Sequence, residues 1–218
     1  TLFDIGNLHH KTRDKLLQAG AIKLNDVPES VITEKGTDKP GLSQSQRQLL
    51  QLRVAHDQNH EVWIDRAHLR AEMASWVYPL HFIDFETAMA AIVFNRGLRH
   101  YEGIAFQFSH HIVHADGRIE HKGQYLNATP GVFPNFDFVR ALKNELSGDK
   151  GSIFRYAQHE NTYLRLIHGQ IQAHAAQIPD AKELCQFIDA ITEYKIPQHK
   201  DLKICGPRNM IDLCDLVK

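Results

Sequence analysis

Two carboxylates, one residue apart, stand inside an apolar run of the sequence. Asp84 and Glu86 occur in HFIDFET, residues 81–87, where Ile83 and Phe85 alternate with them. In an extended strand alternate residues face the same side, roughly 6.6–6.8 Å apart, so both acids project from one surface. Two like charges this close need a neutralising partner, and carboxylates are the ligands that hard divalent cations prefer. The spacing therefore predicts a cation between the two acids.

A simpler explanation is an edge strand whose acids face water. Phe82, Ile83 and Phe85 surround the two carboxylates, however, and such neighbours are typical of a central strand that is buried on both faces. We therefore favour a functional role for Asp84 and Glu86.

The composition narrows the class of protein. The 218 residues are 43% hydrophobic and 23% charged, as in an ordinary globular protein, and 25 Lys and Arg balance 26 Asp and Glu. A nearly neutral chain attracts a polyanion only through a local patch or through metal ions. Three cysteines without a CxxC spacing, no signal peptide and no apolar run long enough to span a bilayer predict a cytoplasmic protein.

The first third of the chain, residues 1–75, is predicted to be helical and small. A helix ends near Gly20 and a second short helical piece follows, which resembles a degenerate helix-hairpin-helix, and we favour a packing role for it. Residues 33–41 have the Gly and Pro content of a linker or loop. Ser43 and Gln46 can form a capping box at the start of another helix.

The remainder, residues 76–218, alternates between strand and helix patterns. Three strands are predicted first, with an Asp-Gly hairpin signal at Asp116 and Gly117 between the second and the third. A helix, a short strand over 151–158 and two helices over 159–175 and 179–196 follow, and residues 208–217 fit either a strand or a helix. This order predicts an α/β fold of the RNase H-like type, with a mixed sheet of antiparallel hairpin strands and parallel strands flanked by helices.

Three separated segments carry a resemblance to known families. HFIDFET resembles the first motif of the DEDD 3′–5′ exonucleases. IDFET, AFQFSHH and FRYAQHE stand in the order and spacing of FLDFET, PFQxSLH and VYNxSFE in a bacterial domain of unknown function, number 2779, which is found C-terminal to RecB-family nuclease modules. The resemblance covers residues 78–218, and it implies a RecB-type nuclease module in the same full-length chain.

The exonuclease resemblance implies two divalent metal ions, Mg²⁺ or Mn²⁺. Asp84 would bridge them, Glu86 would hold one, and Glu160 would stand in place of the second-motif acid as a third catalytic ligand. Glu160 is equally explained as an acid favoured by the helix dipole at a helix N-terminus. Asp212 is expected to support the site, although we prefer a capping or hydrogen-bonding role for it.

Polar residues on the second predicted strand form a further candidate group. Gln107, Ser109 and His111 share one face of that strand. This polar row has either a structural role or a role in contacting substrate. The other histidines show no local spacing for zinc and are expected at the surface.

The last exonuclease motif, a His or Tyr four or five residues before an Asp, would fall beyond Lys218, so we expect the domain to be truncated at its C-terminus. Without the residue that orients the attacking water, the rate is expected to fall by ~10²–10⁴-fold. Two functions remain: a metal-dependent nuclease of the 3′–5′ exonuclease type acting on DNA or RNA, and a catalytically inactive RNase H-like scaffold that binds nucleic acid or protein.

Overall fold

The computed structural model of the protein describes residues 1–38, 41–58, 62–196 and 199–217. The chain divides into two compact units, Thr1–Ala74 and Ser75–Lys218. Part of the linker predicted at 33–41, namely Lys39 and Pro40, lies outside the described residues.

The first unit is helical, with short 3₁₀ turns between its helices. Its α-helices are α1 (His10–Gln18), α2 (Gln44–His56) and α3 (Arg66–Met73). The predicted capping box begins α2, because Gln46 N donates to Ser43 Oγ (3.2 Å) and Ser43 N donates to Gln46 Oε1 (2.9 Å). This local prediction is confirmed.

The turn at Gly20 ends α1 and leads into a 3₁₀ turn, Leu24–Asp26, where the sequence predicted a second helical piece. Gly20 has φ +84°, and its N–H donates to Leu17 O while Ala21 N donates to Leu16 O. This is the Schellman arrangement, which glycine favours because it lacks a Cβ. Leu16 and Ala21 are buried in the core of this unit, so the turn packs its flanks together.

The second unit is built on a five-stranded sheet. The strands of the sheet are β1 (Leu80–Met89), β2 (Gly103–Val113), β3 (Ile119–Leu126), β4 (Ile153–Arg155) and β7 (Ile211–Asp212). Their order is β3-β2-β1-β4-β7; β1 is antiparallel to β2 and parallel to β4. The predicted α/β fold with a mixed sheet is confirmed. The hairpin between β2 and β3 turns at Gly117, with φ +84°, where the Asp-Gly signal predicted it.

Helices of the second unit cover one face of this sheet. They are α4 (Asn135–Leu146), α5 (His159–Ala173) and α6 (Ala181–Ile191), while the short α7 (Leu213–Val217) follows β7. Ile83 and Phe85 of β1 belong to a buried cluster with Phe138 of α4, Leu164 of α5 and Ile188 of α6. Burial of this odd-numbered side of β1 drives the packing, and it leaves Asp84 and Glu86 on the opposite side.

Two predicted elements differ from the structure. The helix predicted over 179–196 ends at Ile191, because Thr192 is extended and its Oγ1 donates back to Ile188 O. Glu193–Ile196 then forms β5, which pairs with β6 (His199–Cys205) in a separate two-stranded sheet. The strand predicted over 151–158 is only Ile153–Arg155. Among the helices of the described residues, none has the length and apolarity to cross a bilayer.

Candidate functional site

Asp84 and Glu86 lie on the exposed side of β1. Both side chains are exposed, while Ile83 and Phe85 between and beside them are buried. Within the described part of the chain, neither carboxylate has a hydrogen-bond or ion-pair partner. The expectation of a strand buried on both faces is therefore wrong around the acids, because the helices that complete the core lie only on the Ile83 side.

The neighbouring strand presents polar side chains to the same surface. Asp84 is paired with Ser109 and Glu86 with Gln107, while His111 lies opposite Phe82. Residues directly opposite each other in antiparallel strands project to the same side. Gln107 and Ser109 are half-buried and His111 is exposed, with its Nε2 3.1 Å from Nδ1 of His121 on β3. The structure thus brings the predicted polar row alongside the two acids.

A β-bulge follows directly after Glu86. Glu86 pairs with Gln107 and Thr87 pairs with Ala105, so the extra residue is Phe106 of β2. A bulge changes the direction of the strand and re-aims the side chains near it. Thr87 Oγ1 lies 3.2 Å from Nε2 of His159, the exposed first residue of α5, so the Thr87 side chain joins β1 to the start of that helix.

Glu160 lies in the first turn of α5 and is only 3% exposed. Its Oε2 atom is buried without a hydrogen-bond partner in the described residues. Burial raises the pKa of Glu160, and the negative charge of Asp84 adds to that rise. Asp84 and Glu160 are therefore within electrostatic reach of each other.

Asp212 on β7 closes the turn that leads from β4 into α5. Its Oδ1 accepts hydrogen bonds from Ala157 N (2.9 Å) and Cys214 N (3.0 Å). Ala157 has φ +65°, a conformation that is unfavourable for a residue with a Cβ and is held here by that hydrogen bond. Asp212 thus fixes the backbone three residues before Glu160. Its Oδ1 is engaged by backbone amides, and its Oδ2 faces the side chains of Gln158 and Arg155.

The sequence reading missed a buried charge network beside this turn. Arg155, 2% exposed, forms ion pairs with Glu193 (3.0 Å) and Asp212 (3.6 Å), and its Nη1 donates to Gln158 Oε1 (3.0 Å). Burial alone would raise the pKa of Glu193, yet Lys203 at 2.5 Å and the other donors around it bring that pKa below its usual value. The signal in the sequence was an arginine at the end of a short apolar strand, where a charge needs a partner.

The expectation of surface histidines is wrong for three of them. His81 and His110 are 1% and 0% exposed, and His168 is 7% exposed. His81 and His110 point into the helix-covered side of the sheet, where they contact each other and two carboxylates.

The oxygen donors on the exposed side of β1 and on Glu160 suit a hard divalent cation. Asp84, Glu86 and Glu160 offer carboxylate oxygens, and the unpaired Oε2 of Glu160 is a buried acceptor that lacks a donor. Across the described ranges, however, no three His, Cys, Asp or Glu side chains are grouped so as to hold a metal ion together. Glu160 would have to turn towards the exposed pair to complete a three-carboxylate site.

The fold and this surface define an α/β domain with a mixed sheet that carries acids on its open side. The chain belongs to the family described as Domain of unknown function (DUF2779), whose model matches residues 81–218, more than half of the chain. The match includes the acidic strand, the polar row and Glu160. No curated protein and no solved structure matches the chain.

Proposed function

We propose that this domain is a divalent-metal-dependent nuclease, which hydrolyses phosphodiester bonds of DNA or RNA in the manner of a 3′–5′ exonuclease. The observation that carries the proposal is the buried, unpaired carboxylate oxygen of Glu160 within electrostatic reach of Asp84. A buried acceptor without a donor is costly, by about 1–3 kcal/mol, and a cation at this place would offset that cost.

Mg²⁺ or Mn²⁺ would polarise the phosphate, activate a water and stabilise the leaving oxygen. Asp84, Glu86 and Glu160 would hold the ion, and Asp212 fixes the turn from which Glu160 projects. Gln107 and His111 lie on the same surface of the sheet as the two acids and would contact the sugar-phosphate backbone of the substrate. Because the chain has a net charge of −1, the bound cation is also what lets a polyanion approach this acidic surface.

Two further features of the proposal concern context. A RecB-type nuclease module in the same full-length chain would supply nucleic-acid ends to this domain. The three free cysteines support a cytoplasmic setting, where thiols stay reduced.

A thermal-shift series with Mn²⁺ and Mg²⁺ tests the metal site on wild type and on Asp84→Asn. The matched control is Asp116→Asn, which makes the same exchange in the β2–β3 turn, where the side chain caps Arg118 N. We expect stabilisation by metal in wild type and in the control, and none in Asp84→Asn. Equal stabilisation of all three proteins, or none in wild type, would remove the basis for the site.

Oligonucleotides of DNA and RNA labelled at the 5′ or the 3′ end test the reaction and its polarity. Metal-dependent loss of the 3′ label, abolished in Asp84→Asn, is the expected result. Binding of the oligonucleotides without cleavage, in a protein that does bind Mn²⁺ or Mg²⁺, would favour the inactive scaffold.

A further inference from the structure

Four side chains are connected by consecutive hydrogen bonds on the helix-covered side of the sheet. Asp149 Oδ1 lies 2.8 Å from His81 Nε2, His81 Nδ1 lies 2.9 Å from His110 Nε2, and His110 Nδ1 lies 3.0 Å from Glu145 Oε2. This row of hydrogen-bonded side chains connects β1, β2, α4 and the loop after α4. We call it the histidine chain.

Two glycines leave the space that the histidine chain occupies, one near each of its ends. A Cβ on Gly123 of β3, which is opposite His110, would overlap the Glu145 carboxylate. A Cβ on Gly151 would overlap the carbonyl oxygen of Pro79 and come within 2.8 Å of His81 Nε2. Two glycines therefore admit groups that any other residue would displace.

The proton count of the chain can be read from its heavy atoms. Asp149 also accepts hydrogen bonds from Gly151 N (2.7 Å) and Arg208 Nη2 (3.3 Å), and its pKa is lowered although burial opposes this. An ionised Asp149 requires His81 Nε2 to donate. A Glu145 carboxylate likewise requires His110 Nδ1 to donate. Two neutral rings would then have no hydrogen left for the contact between them.

Two lone pairs facing each other at 2.9 Å repel, and in a dry interior nothing screens them. Three contacts need three protons, whereas two neutral imidazoles carry two. We propose that the histidine chain is a buried proton-binding site, which holds one proton more than two neutral imidazoles and releases it as the pH rises.

The groups around His81 and His110 limit the histidine chain to this single extra proton. Taken as separate rings, His81 and His110 each have a lowered pKa, because burial outweighs the hydrogen bonds to Asp149 and Glu145. The contact between the two rings is what favours the extra proton. The positive charges of Arg208 and of Lys122 on β3 also disfavour protonation. A second extra proton would place two N–H groups face to face, so the two rings titrate as a pair and not as independent histidines.

The consequence for stability has a definite sign. With its shared proton the folded protein binds more protons at pH 7 than the unfolded chain does, because an unfolded histidine has a pKa of about 6.5. The stabilisation is fully present below that pH and is lost as the pH rises through the value of the folded pair. Release of the proton weakens the attachment of β1 and β2 to α4. The inference does not depend on the proposed nuclease activity.

Imidazole ¹⁵N NMR of the wild-type protein, labelled at histidine, tests the proton count between pH 5.5 and 9.5. The signals are assigned with His81→Gln and His110→Gln. We expect the two rings to share three N–H protons at pH 7, or two with a protonated Glu145, and to lose one proton in a single step at higher pH. His114→Gln is the control, because His114 pairs with Glu120 at 3.0 Å near the surface and lies outside the chain.

Two neutral rings beside an ionised Glu145 throughout this pH range would overturn the proposal. So would two separate titrations of His81 and His110. Urea unfolding as a function of pH gives a second readout: the midpoint should fall with rising pH in wild type and in His114→Gln, and this dependence should be largely lost in His110→Gln.

Discussion

Glu160 is buried within electrostatic reach of the exposed Asp84, so two acids that interact differ sharply in their solvation. Burial raises the pKa of Glu160, and the charge of Asp84 adds to the rise. An acid in this position is destabilising when it is ionised and unpaired. This energetic cost favours a ligand-binding role for Glu160 over a structural one.

Replacing Glu160 with Gln should therefore stabilise the metal-free protein at pH 7. The folded protein holds the Glu160 proton to a higher pH than the unfolded chain does, so stability falls as the pH rises from about 4.3 to the folded pKa. Glu160→Gln removes this fall and should raise the free energy of unfolding at pH 7 by on the order of 1 kcal/mol. Urea unfolding from pH 4.5 to pH 8 measures it.

The same variant should lose the stabilisation by Mn²⁺. Glu183→Gln is the control, because Glu183 is an exposed acid that pairs with Lys143 at 2.6 Å, and its exchange should change stability by less than about 1 kcal/mol. A Glu160→Gln protein that is less stable than wild type at pH 7 would show that the buried carboxylate is satisfied.

Loss of the buried charge at Arg155 should be strongly destabilising. Arg155→Met keeps much of the volume but leaves Lys203 as the remaining cation beside the buried Glu193 in the described residues, so we expect a loss of about 3 kcal/mol in the free energy of unfolding. Arg118→Met is the surface counterpart, since Arg118 pairs with Glu120 at 3.0 Å, and it should cost at most about 1 kcal/mol. Similar small losses in both variants would mean that Lys203 alone neutralises Glu193.

The turn before Glu160 gives a prediction of opposite sign. Ala157 has φ +65°, where a Cβ costs roughly 1 kcal/mol, so Ala157→Gly should be neutral or stabilising by up to that amount. Ala141→Gly, the same exchange inside α4, should be destabilising by about 1 kcal/mol. Thermal unfolding distinguishes the two variants, and a clear loss of stability in Ala157→Gly would show that the turn is not held as described.

Close packing around the histidine chain can be probed at three glycines. Gly151→Ala meets the backbone of Pro79 and Gly123→Ala meets the Glu145 carboxylate, whereas a Cβ at Gly148 has no atom within 4 Å. We expect losses of about 1–3 kcal/mol at the first two positions, larger at Gly151 because a backbone carbonyl cannot rotate away. Gly148→Ala should stay within about 1 kcal/mol of wild type. Equal effects at all three positions, measured by urea unfolding, would contradict this packing.

Features encoded over a few residues could be predicted from the sequence. The capping box of Ser43 and Gln46 and the turn at Gly117 follow from local chemistry, and the alternation of Asp84 and Glu86 with Ile83 and Phe85 gave their opposite orientations. These signals depend only on residues that are close along the chain.

Features that depend on distant partners could not be predicted. The contact of His81 with His110 joins residues 29 positions apart, and the pairing of Arg155 with Glu193 spans 38. The sequence pattern predicts a helix through residues 193–196, and only pairing with β6 makes β5 extended. The burial of Glu160 likewise arises from the packing of α5 and not from its local sequence.

The position of the two acids within β1 also decides where the chain tolerates a change in length. Side chains alternate along β1, so deleting one residue before Asp84 would exchange its two faces and drive both carboxylates into the interior. The connection to β2, residues 90–102, follows the acids, so insertions there leave their orientation untouched. The domain therefore tolerates a change in length after its two acids but not within β1 before Asp84.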